Sequence, residues 1–233
     1  MSTLQVGTIS EKVTDAGVAV DGVTLKDGGA TFTSDVTIGD GSASDKKILF
    51  NGNAQDFHIG LDDSLDGLTV GLGSALATNT HMLIDADGHI NKPLQSAFMA
   101  KLSSNQTNIN NNSAHQDIQF ANEIFDQNAD YNTSNYTFTA PKTGRYQLNV
   151  QVYLEAIDTS ADFFYVTLLC SNNSAFFIVD PNFSADLSYY HVGGSVLMDM
   201  DAGDTAKLTY VQASGTAQTD VNTNSYFSGF LAC

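Results

Sequence analysis

The residues in this sequence best suited to chemistry are two groups of closely spaced carboxylates. The groups consist of Asp62, Asp63 and Asp66, and of Asp199, Asp201 and Asp204. Paired carboxylates can cleave glycans, one acting as general acid and the other as base or nucleophile. Both groups, however, lie beside glycines, where aspartate commonly caps turns. We therefore predict turns at these positions, no catalytic residue, and a protein that is not an enzyme.

Other motifs that carry chemistry are missing from the sequence. It contains no G-x-S-x-G, no H-E-x-x-H and no cysteine and histidine cluster at metal-binding spacing. A threefold assembly could still form a metal site, because one residue from each chain supplies three ligands on the axis. The residues suited to this are His58, His81, His89, Asp85 and Asp87. Surface histidines and capped turns explain them without an ion, so we predict no metal and no cofactor.

The charge balance excludes several classes of partner. The formal net charge is −17, from 26 acids against 9 bases. Nucleic-acid binding relies on lysine and arginine displacing counterions, so we predict no nucleic-acid partner. An anionic membrane surface is disfavoured for the same reason, and apolar runs such as 163–170 are too short to cross a bilayer as helices. Residues 1–20 have no signal-peptide pattern. The two cysteines, Cys170 and Cys233, are too few for a disulfide framework, and Cys170 is predicted to be buried.

The first part of the chain has a repetitive pattern. Residues 36–93 contain very short apolar pieces separated by glycine and aspartate. Four apolar positions recur at intervals of 10, 11 and 11 residues, at Ile38, Ile48, Ile59 and Val70. Turn signals this regular predict a repetitive β-structure, in which each piece is too short to hold a core alone. We predict a shaft built from several chains, with a small independent sheet as the alternative. Residues 1–35 alternate only weakly and are predicted to order on a partner.

The second part of the chain predicts longer strands. A polar, asparagine-rich connection at 102–116 precedes most of them. The predicted strands are 118–125, 136–140, 145–154, 163–170, 175–179, 189–199, 206–211 and 226–232. Eight antiparallel strands in about 140 residues favour a sandwich or jelly roll. The predicted fold class is all-β, with segments at 1–35, 36–93 and 94–233.

Five segments of the second part resemble a known family. Their sequences, in chain order, are AFMAKL (97–102), IQFANEIFDQNADYN (118–132), YTFTAPKTGRYQLNVQVYL (136–154), GGSVLMDMDAGDTAKLTYV (193–211) and YFSGFLAC (226–233). The marks they carry are Phe125, Asn128, Tyr131, Phe138-Thr139-Ala140-Pro141, Gly144-x-Tyr146, Gly203-Asp204 and Phe227-Ser228-Gly229-Phe230. They resemble the globular head of complement proteins, in the wider family that includes tumour necrosis factor. Leu148, where that family usually has phenylalanine, is a mild departure. The resemblance implies a ten-stranded jelly roll that assembles as a homotrimer.

The resemblance also resolves an ambiguity in the strand at 145–154. Its alternation alone allows either face to point inward. With the jelly roll, the apolar face fills the core: Tyr146, Leu148, Val150 and Val152. The other face is uncharged and is predicted to lie at the trimer interface: Gln147, Asn149, Gln151 and Tyr153. Uncharged amides can pair across such a contact without the cost of desolvating ions.

The first part of the chain has a resemblance of its own. The phrase DKKILFNGNAQDFHIGLDDSLDGLTVGLGS (45–74), followed by THMLIDADGHINKPLQSAF (80–98), is similar to structural proteins of tailed phages of marine cyanobacteria. That resemblance implies a virion fibre, made in the host cytoplasm. Residues 1–35 would anchor it to other virion proteins, 36–93 would form the β shaft, and 94–233 would form the trimeric head.

Receptor binding is expected in loops at the outer end of the head. The richest loops are 155–162, 171–191 and 212–225, which mix asparagine, aspartate, serine and tyrosine. The residues predicted to bind a host-surface glycan or protein are Asp180, Asn182, Phe183, Tyr189 and Tyr190. The alternative is that these loops are solvated connections whose aromatic side chains face the core.

The predicted function is thus a homotrimeric phage fibre that presents a head for host recognition. The main alternative is a structural or decoration protein of the capsid or tail without receptor binding. A non-viral surface adhesin and a glycan-degrading enzyme are further alternatives.

Overall fold

The computed structural model of this protein describes residues 33–233. The chain divides into two compact units, residues 1–42 and 43–233. Residues 33–42 are exposed and contain no strand. The predicted anchor at 1–35 therefore lies almost entirely outside the described residues. Over the described range, no helix has the length and apolarity needed to cross a membrane.

The regular elements of residues 33–233 are all β-strands, which confirms the all-β fold class. Five strands come before the head: β1 (Lys46–Phe50), β2 (Phe57–Asp62), β3 (Gly67–Leu72), β4 (Thr80–Ile84) and β5 (Ile90–Asn91). The head contains β6 (Ala97–Lys101), β7 (Gln116–Asp117), β8 (Asn122–Asp126), β9 (Tyr131–Asn132), β10 (Thr137–Thr139), β11 (Gly144–Ile157), β12 (Phe163–Cys170), β13 (Ser174–Val179), β14 (Leu187–Met200), β15 (Thr205–Ala213), β16 (Asp220–Val221) and β17 (Tyr226–Leu231).

Strands β1 to β5 form one antiparallel sheet in sequence order, here called the N-terminal sheet. Its register explains the regular spacing in the sequence. Ile48 pairs with Ile59, and Ile59 pairs with Val70. Paired positions 11 residues apart therefore place these apolar residues in one row across the sheet, although the loops that join the strands differ in length. Ile38, which the same pattern included, lies outside the sheet.

The two faces of the N-terminal sheet differ in coverage. One face carries His58, Gly60 and Thr69, all buried, and the side chain of Leu76 packs over it at Gly60. The opposite face leaves Phe57 and other large apolar side chains exposed. The sheet is thus closed on one side by its own connection and open on the other.

The head is a sandwich of two antiparallel sheets. The order of the first, here called the β11 sheet, is β14-β11-β17-β6-β8, and β16 also pairs with β11. The order of the second, the β15 sheet, is β13-β12-β15-β10-β9, and β7 also pairs with β15. Neighbours in space are mostly distant in sequence, as in a jelly roll, which confirms the predicted architecture.

An aromatic cluster joins the two sheets. Phe98 of the β11 sheet stacks on Tyr131 and Phe138 of the β15 sheet, with ring centroids 5.1 and 4.7 Å apart. Phe227 meets the Phe98 ring edge-on at 5.0 Å. All four rings are buried, and the hydroxyl of Tyr131 donates to the carbonyl of Phe120 at 3.1 Å. The cluster combines large apolar burial with a satisfied polar group.

The predicted core face of β11 is confirmed. Tyr146, Leu148 and Val152 are fully buried, and Val150 is 4% exposed. Gly229 lies directly over Leu148, so that a Cβ atom at this position would collide with the leucine side chain. This close approach explains the glycine in the Phe227-Ser228-Gly229-Phe230 strand.

The predicted strand at 118–125 is confirmed only from Asn122, where β8 begins, and is wrong before it, because the chain changes sheets there. β7 pairs with β15, whereas β8 pairs with β6 in the other sheet. Between them, Ile118 and Phe120 are buried in the core. The alternation of apolar residues at 118–121 therefore comes from a segment that connects the two sheets, not from a continuous strand.

The cluster around Phe227 should dominate the stability of the head. Phe227→Ala is expected to reduce the free energy of unfolding by about 3–5 kcal/mol, because it removes a fully buried ring from a packed core. Urea unfolding followed by circular dichroism measures this change. The control is Phe176→Ala, whose ring is 57% exposed and whose loss should cost within about 0.5 kcal/mol. Similar losses for both variants would contradict this account of the core.

Candidate functional site

The outward face of the β11 sheet carries a connected set of uncharged side chains. Gln147 donates through Nε2 to Ser195 Oγ at 2.6 Å, and Ser195 Oγ donates to Asn149 Oδ1 at 2.6 Å. Asn149 Nδ2 reaches Ser228 Oγ at 3.5 Å. Gln147 and Asn149 are half-buried already in the single chain. The amides predicted to form a subunit contact are thus held in fixed orientations by neighbouring strands.

Sequence reasoning missed the apolar neighbours of this face. Gln147 pairs with Leu197 on one side and Phe230 on the other. Leu197 is 55% exposed and Phe230 is 45% exposed. Met99 pairs with Phe125 in the row alongside. Only the register between distant strands places these residues beside Gln147, so no local pattern signals them.

Charged residues lie at the margins of the same face. At one end Arg145 pairs with Asp199, whose carboxylate is 3.6 Å from the guanidinium. Near the other end, Tyr153 stacks against Tyr189 at 5.7 Å, and Glu155 pairs with Tyr189. Burial and the neighbouring Tyr189 and Glu155 raise the pKa of Tyr153. Tyr153 therefore stays uncharged at neutral pH, like the amides beside it.

The five predicted receptor residues do not form one cluster. Phe183 and Tyr190 pack against the core, with ring centroids 5.8 Å apart. Tyr189 is 64% exposed and lies on the opposite side of the sheet. Asp180 and Asn182 are exposed in the connection between β13 and β14, where the Asn182 amide donates to Asp180 Oδ1 at 3.1 Å. Their role in receptor binding stays a prediction.

The three loops selected from the sequence do come together, through Asp186. Its Oδ1 accepts hydrogen bonds from the amide and the hydroxyl of Thr159 at 2.9 and 2.7 Å. Its Oδ2 accepts one from Gln218 Nε2 at 3.0 Å. Thr159 belongs to the loop at 155–162 and Gln218 to the loop at 212–225. One carboxylate, which sequence reasoning did not select, therefore links all three loops.

Asp158 adds a second link between two of these loops. Its Oδ1 accepts from the amide and hydroxyl of Ser160 at 2.8 and 2.6 Å, and its Oδ2 accepts from the Thr216 amide. Burial alone would raise the pKa of Asp158, but these hydrogen bonds outweigh it, and the pKa lies below 3.8. Asp158 is therefore ionised at neutral pH.

A cleft of about 570 Å³ opens at this end of the head. Its lining residues are Glu155, Ala156, Asp186, Leu187, Ser188, Tyr189, Gln218 and Asp220. The cleft combines hydrogen-bonding carboxylates and an amide with one exposed aromatic ring. Such a lining suits a ligand rich in hydroxyl or amine donors, and it repels anions.

The two carboxylate groups predicted to form turns do so. Asp62 Oδ1 accepts from the amide of Ser64 at 3.1 Å and from the amide of Leu65 at 3.2 Å. Asp204 Oδ2 accepts from the Asp201 amide at 2.8 Å, and Gly203 between them has φ +94°, which favours glycine. Both are turn caps.

Three of the residues considered for an axial metal, His58, Asp85 and His89, contact other groups of the chain, although the buried Nε2 atom of His58 has no hydrogen-bond partner among the described residues. His58 is buried, and its Nδ1 lies 2.9 Å from the Gly73 carbonyl oxygen. Asp85 accepts from the His89 amide at 2.8 Å and contacts the His89 ring at 3.1 Å. Within residues 33–233, no three histidine, cysteine or acidic side chains are grouped to hold an ion.

A jelly-roll sandwich with an uncharged sheet face and a loop cleft defines a binding or structural head domain. The family model for the C1q domain matches residues 97–232, which is more than half of the chain. The chain belongs to the C1q domain family, and the resemblance of its second part to complement heads is confirmed. C1q domains are non-enzymatic binding and structural domains, in agreement with the prediction that the protein is not an enzyme.

Solved structures similar to this chain include members of the same wider group. The globular domain of zebrafish complement 1qA is 16% identical, with a TM-score of 0.43, and the match covers 60% of this chain and 98% of that one. Murine APRIL is 11% identical, with a TM-score of 0.42, covering 59% and 98%. Eiger TNF from S. frugiperda is 13% identical, with a TM-score of 0.43, covering 60% and 92%. No curated protein matches the chain.

The bonds to Asp186 should make the loop cluster sensitive to acid. Hydrogen bonds from the Thr159 amide, the Thr159 hydroxyl and Gln218 hold the pKa of Asp186 below 3.8. The ionised carboxylate therefore stabilises the loops above about pH 4, and this stabilisation is lost as the pH falls through the lowered pKa. Asp186→Asn should lower the melting temperature at pH 7, and the difference from the unmodified protein should shrink as the pH falls through the lowered pKa of Asp186.

The control for this experiment is Asp180→Asn, a carboxylate that bonds within its own turn in the same connection. It should change the melting temperature at pH 7 less than Asp186→Asn does. Thermal unfolding at several pH values measures both. A difference for Asp186→Asn that is the same at every acid pH at which the protein stays folded would contradict the role assigned to this carboxylate.

Proposed function

We propose that this chain is a homotrimeric fibre protein of a phage virion, whose C1q-domain head recognises a glycan or protein on the host surface. In this proposal residues 1–35 attach the fibre to the particle, 36–93 form the shaft, and 94–233 form the head. The protein is made in the host cytoplasm and carried on the virion.

The main support for a trimer is the uncharged outward face of the β11 sheet. In a chain with net charge −17, copies repel one another unless their contact surface is free of acids. The Gln147, Asn149 and Ser195 network offers such a surface, and the exposed Leu197 and Phe230 beside it add apolar area. Proteins with C1q domains form homotrimers and bind other proteins.

The loop cleft supports recognition of an external ligand. It lies at the end of the sandwich formed by three loops, and Asp186 fixes their arrangement. Carboxylates and Gln218 can accept and donate hydrogen bonds to sugar hydroxyls, and Tyr189 can contact the sugar ring. The virion location is supported by the resemblance of residues 45–74 and 80–98 to phage structural proteins. The alternative is a capsid or tail protein with the same trimeric head but no receptor.

The first test places a charge on the proposed trimer face. Asn149→Lys should raise the concentration at which half of the trimer dissociates by at least about tenfold, because a buried ammonium without a partner is costly. Sedimentation or light scattering over a dilution series measures the assembly, and circular dichroism verifies the fold. Asn135→Lys, at an exposed position on another surface, is the matched control and should leave assembly unchanged. An Asn149→Lys trimer as stable as the control would refute this interface.

The second test fills the cleft. Ser188→Trp places a large ring at the lining of the cleft and should weaken binding of the labelled protein to host cells by about tenfold or more. Ser184→Trp, exposed in the connection before β14 and not part of the cleft lining, is the control. Equal binding by both variants would exclude the cleft as the receptor site. Failure of the unmodified trimer to bind host cells would favour the structural protein without a receptor.

A further inference from the structure

The open face of the N-terminal sheet is the largest set of exposed apolar side chains that one layer of the described structure presents. Its residues are Ile48, Phe50, Phe57, Ile59, Leu61, Leu68 and Ile90, each between 38% and 62% exposed. The strand register places them on one face: Phe50 pairs with Phe57, and Leu61 pairs with Leu68. This sheet lies before the residues matched by the C1q model, which begin at 97.

The area of this face is comparable with that of a specific protein contact. With ~200 Å² for each fully exposed large side chain, the exposed fractions correspond to on the order of 600 Å². Patches of this size on soluble proteins mark interaction sites. A specific interface buries about 800 Å² on each partner, and the apolar side chains of this face supply most of that area.

The charge distribution indicates which partner fits. Strands β1 to β5 contain one carboxylate, Asp62, and it lies on the covered face at 1% exposure. The open face therefore has no acid, although the whole chain carries a net charge of −17. A basic partner would find no acid to pair with on this face. A second copy of the chain, which is strongly acidic elsewhere, brings the same apolar surface and no carboxylate, and the charged side chain on this face, Lys46, lies opposite Leu61 on the edge strand β1.

We propose that the open face of the N-terminal sheet is a contact between copies of this chain, with Ile59 and Val70 near its centre. The inference deepens the proposed function and rests on it only for the number of copies, three. The head and the N-terminal sheet then contribute separate contacts to the same assembly. The covered face, closed by Leu76, stays within each copy.

The first experiment compares Ile59→Lys with Leu65→Lys in the full-length chain. Leu65 lies in the turn between β2 and β3, outside the paired strands, and is 47% exposed, so it is the matched control. Light scattering over a dilution series should show that Ile59→Lys raises the midpoint of dissociation by about tenfold or more. Leu65→Lys should leave the midpoint unchanged. Equal midpoints for both variants would overturn the proposal.

The second experiment measures whether the face is covered, and it does not depend on a lysine being tolerated. Ile59→Cys and Leu65→Cys are compared in a Cys233→Ser background. Burial raises the pKa of the remaining Cys170 thiol to about 12, so it does not compete for a thiol reagent. In the assembled protein, the thiol introduced by Ile59→Cys should react about tenfold or more slowly than that introduced by Leu65→Cys. Dilution to the monomer should abolish the difference.

The outcomes separate this inference from the proposed function. A trimer with a fast-reacting thiol at position 59 overturns the contact but leaves the trimeric head intact. Protection that persists in the diluted monomer shows that the same chain, including residues 1–32, covers the face, and it also overturns the contact. A chain that is monomeric at every concentration, with a fast-reacting thiol, overturns both proposals.

Discussion

The stacking of Phe98 on Tyr131 and Phe138 is the contact on which the rest of the head depends. It is the point where rings from the two sheets meet, with Phe227 closing the cluster from the side. Once this aromatic contact forms, every strand of the β11 sheet has one face packed against the core. The opposite faces of the same strands are then presented outward as a single surface. The uncharged row around Gln147 and Asn149 is therefore a consequence of where the aromatic core lies.

Net acidity then sets which surfaces can meet other molecules. A chain with 26 acids and 9 bases stays separate from its copies except where carboxylates are missing. Such places in the described residues include the middle of the β11 sheet and the open face of the N-terminal sheet. The cleft lined by Asp186 differs from these two surfaces because it contains acids. Its acids favour ligands with hydroxyl groups or positive charge and disfavour contact with another acidic copy of the chain. In the proposed function, charge thus divides the surface between assembly and recognition.

Features encoded by short-range alternation could be predicted from the sequence. The core face of β11 and the turns at Asp62 and Asp204 follow from residue types within a few positions, and the structure confirms them. The interval linking Ile48, Ile59 and Val70 predicted repetition, and the structure shows that these residues are directly paired in neighbouring strands. Contacts over long separations could not be predicted. Asp186 accepts hydrogen bonds from Thr159 and Gln218, which are 27 and 32 residues away in the sequence. No local sequence pattern predicts hydrogen bonds over such separations. The strand predicted at 118–125 was partly wrong for a related reason. Buried residues alternate with exposed ones both in a strand and in a segment that connects the two sheets, so the sequence pattern is the same.

The position of β17 has a consequence for the order in which the head can form during synthesis. This strand, Tyr226–Leu231, lies in the middle of the β11 sheet, between β11 and β6. Strand β6 emerges from the ribosome more than 120 residues earlier, yet it has no path to β11 until β17 arrives. The sheet is therefore completed only by residues that are translated after all its other strands. A ribosome that stops before residue 226 leaves the β11 sheet in two pieces, β14 with β11 and β6 with β8, so translation to that point is itself a condition for completing the sheet.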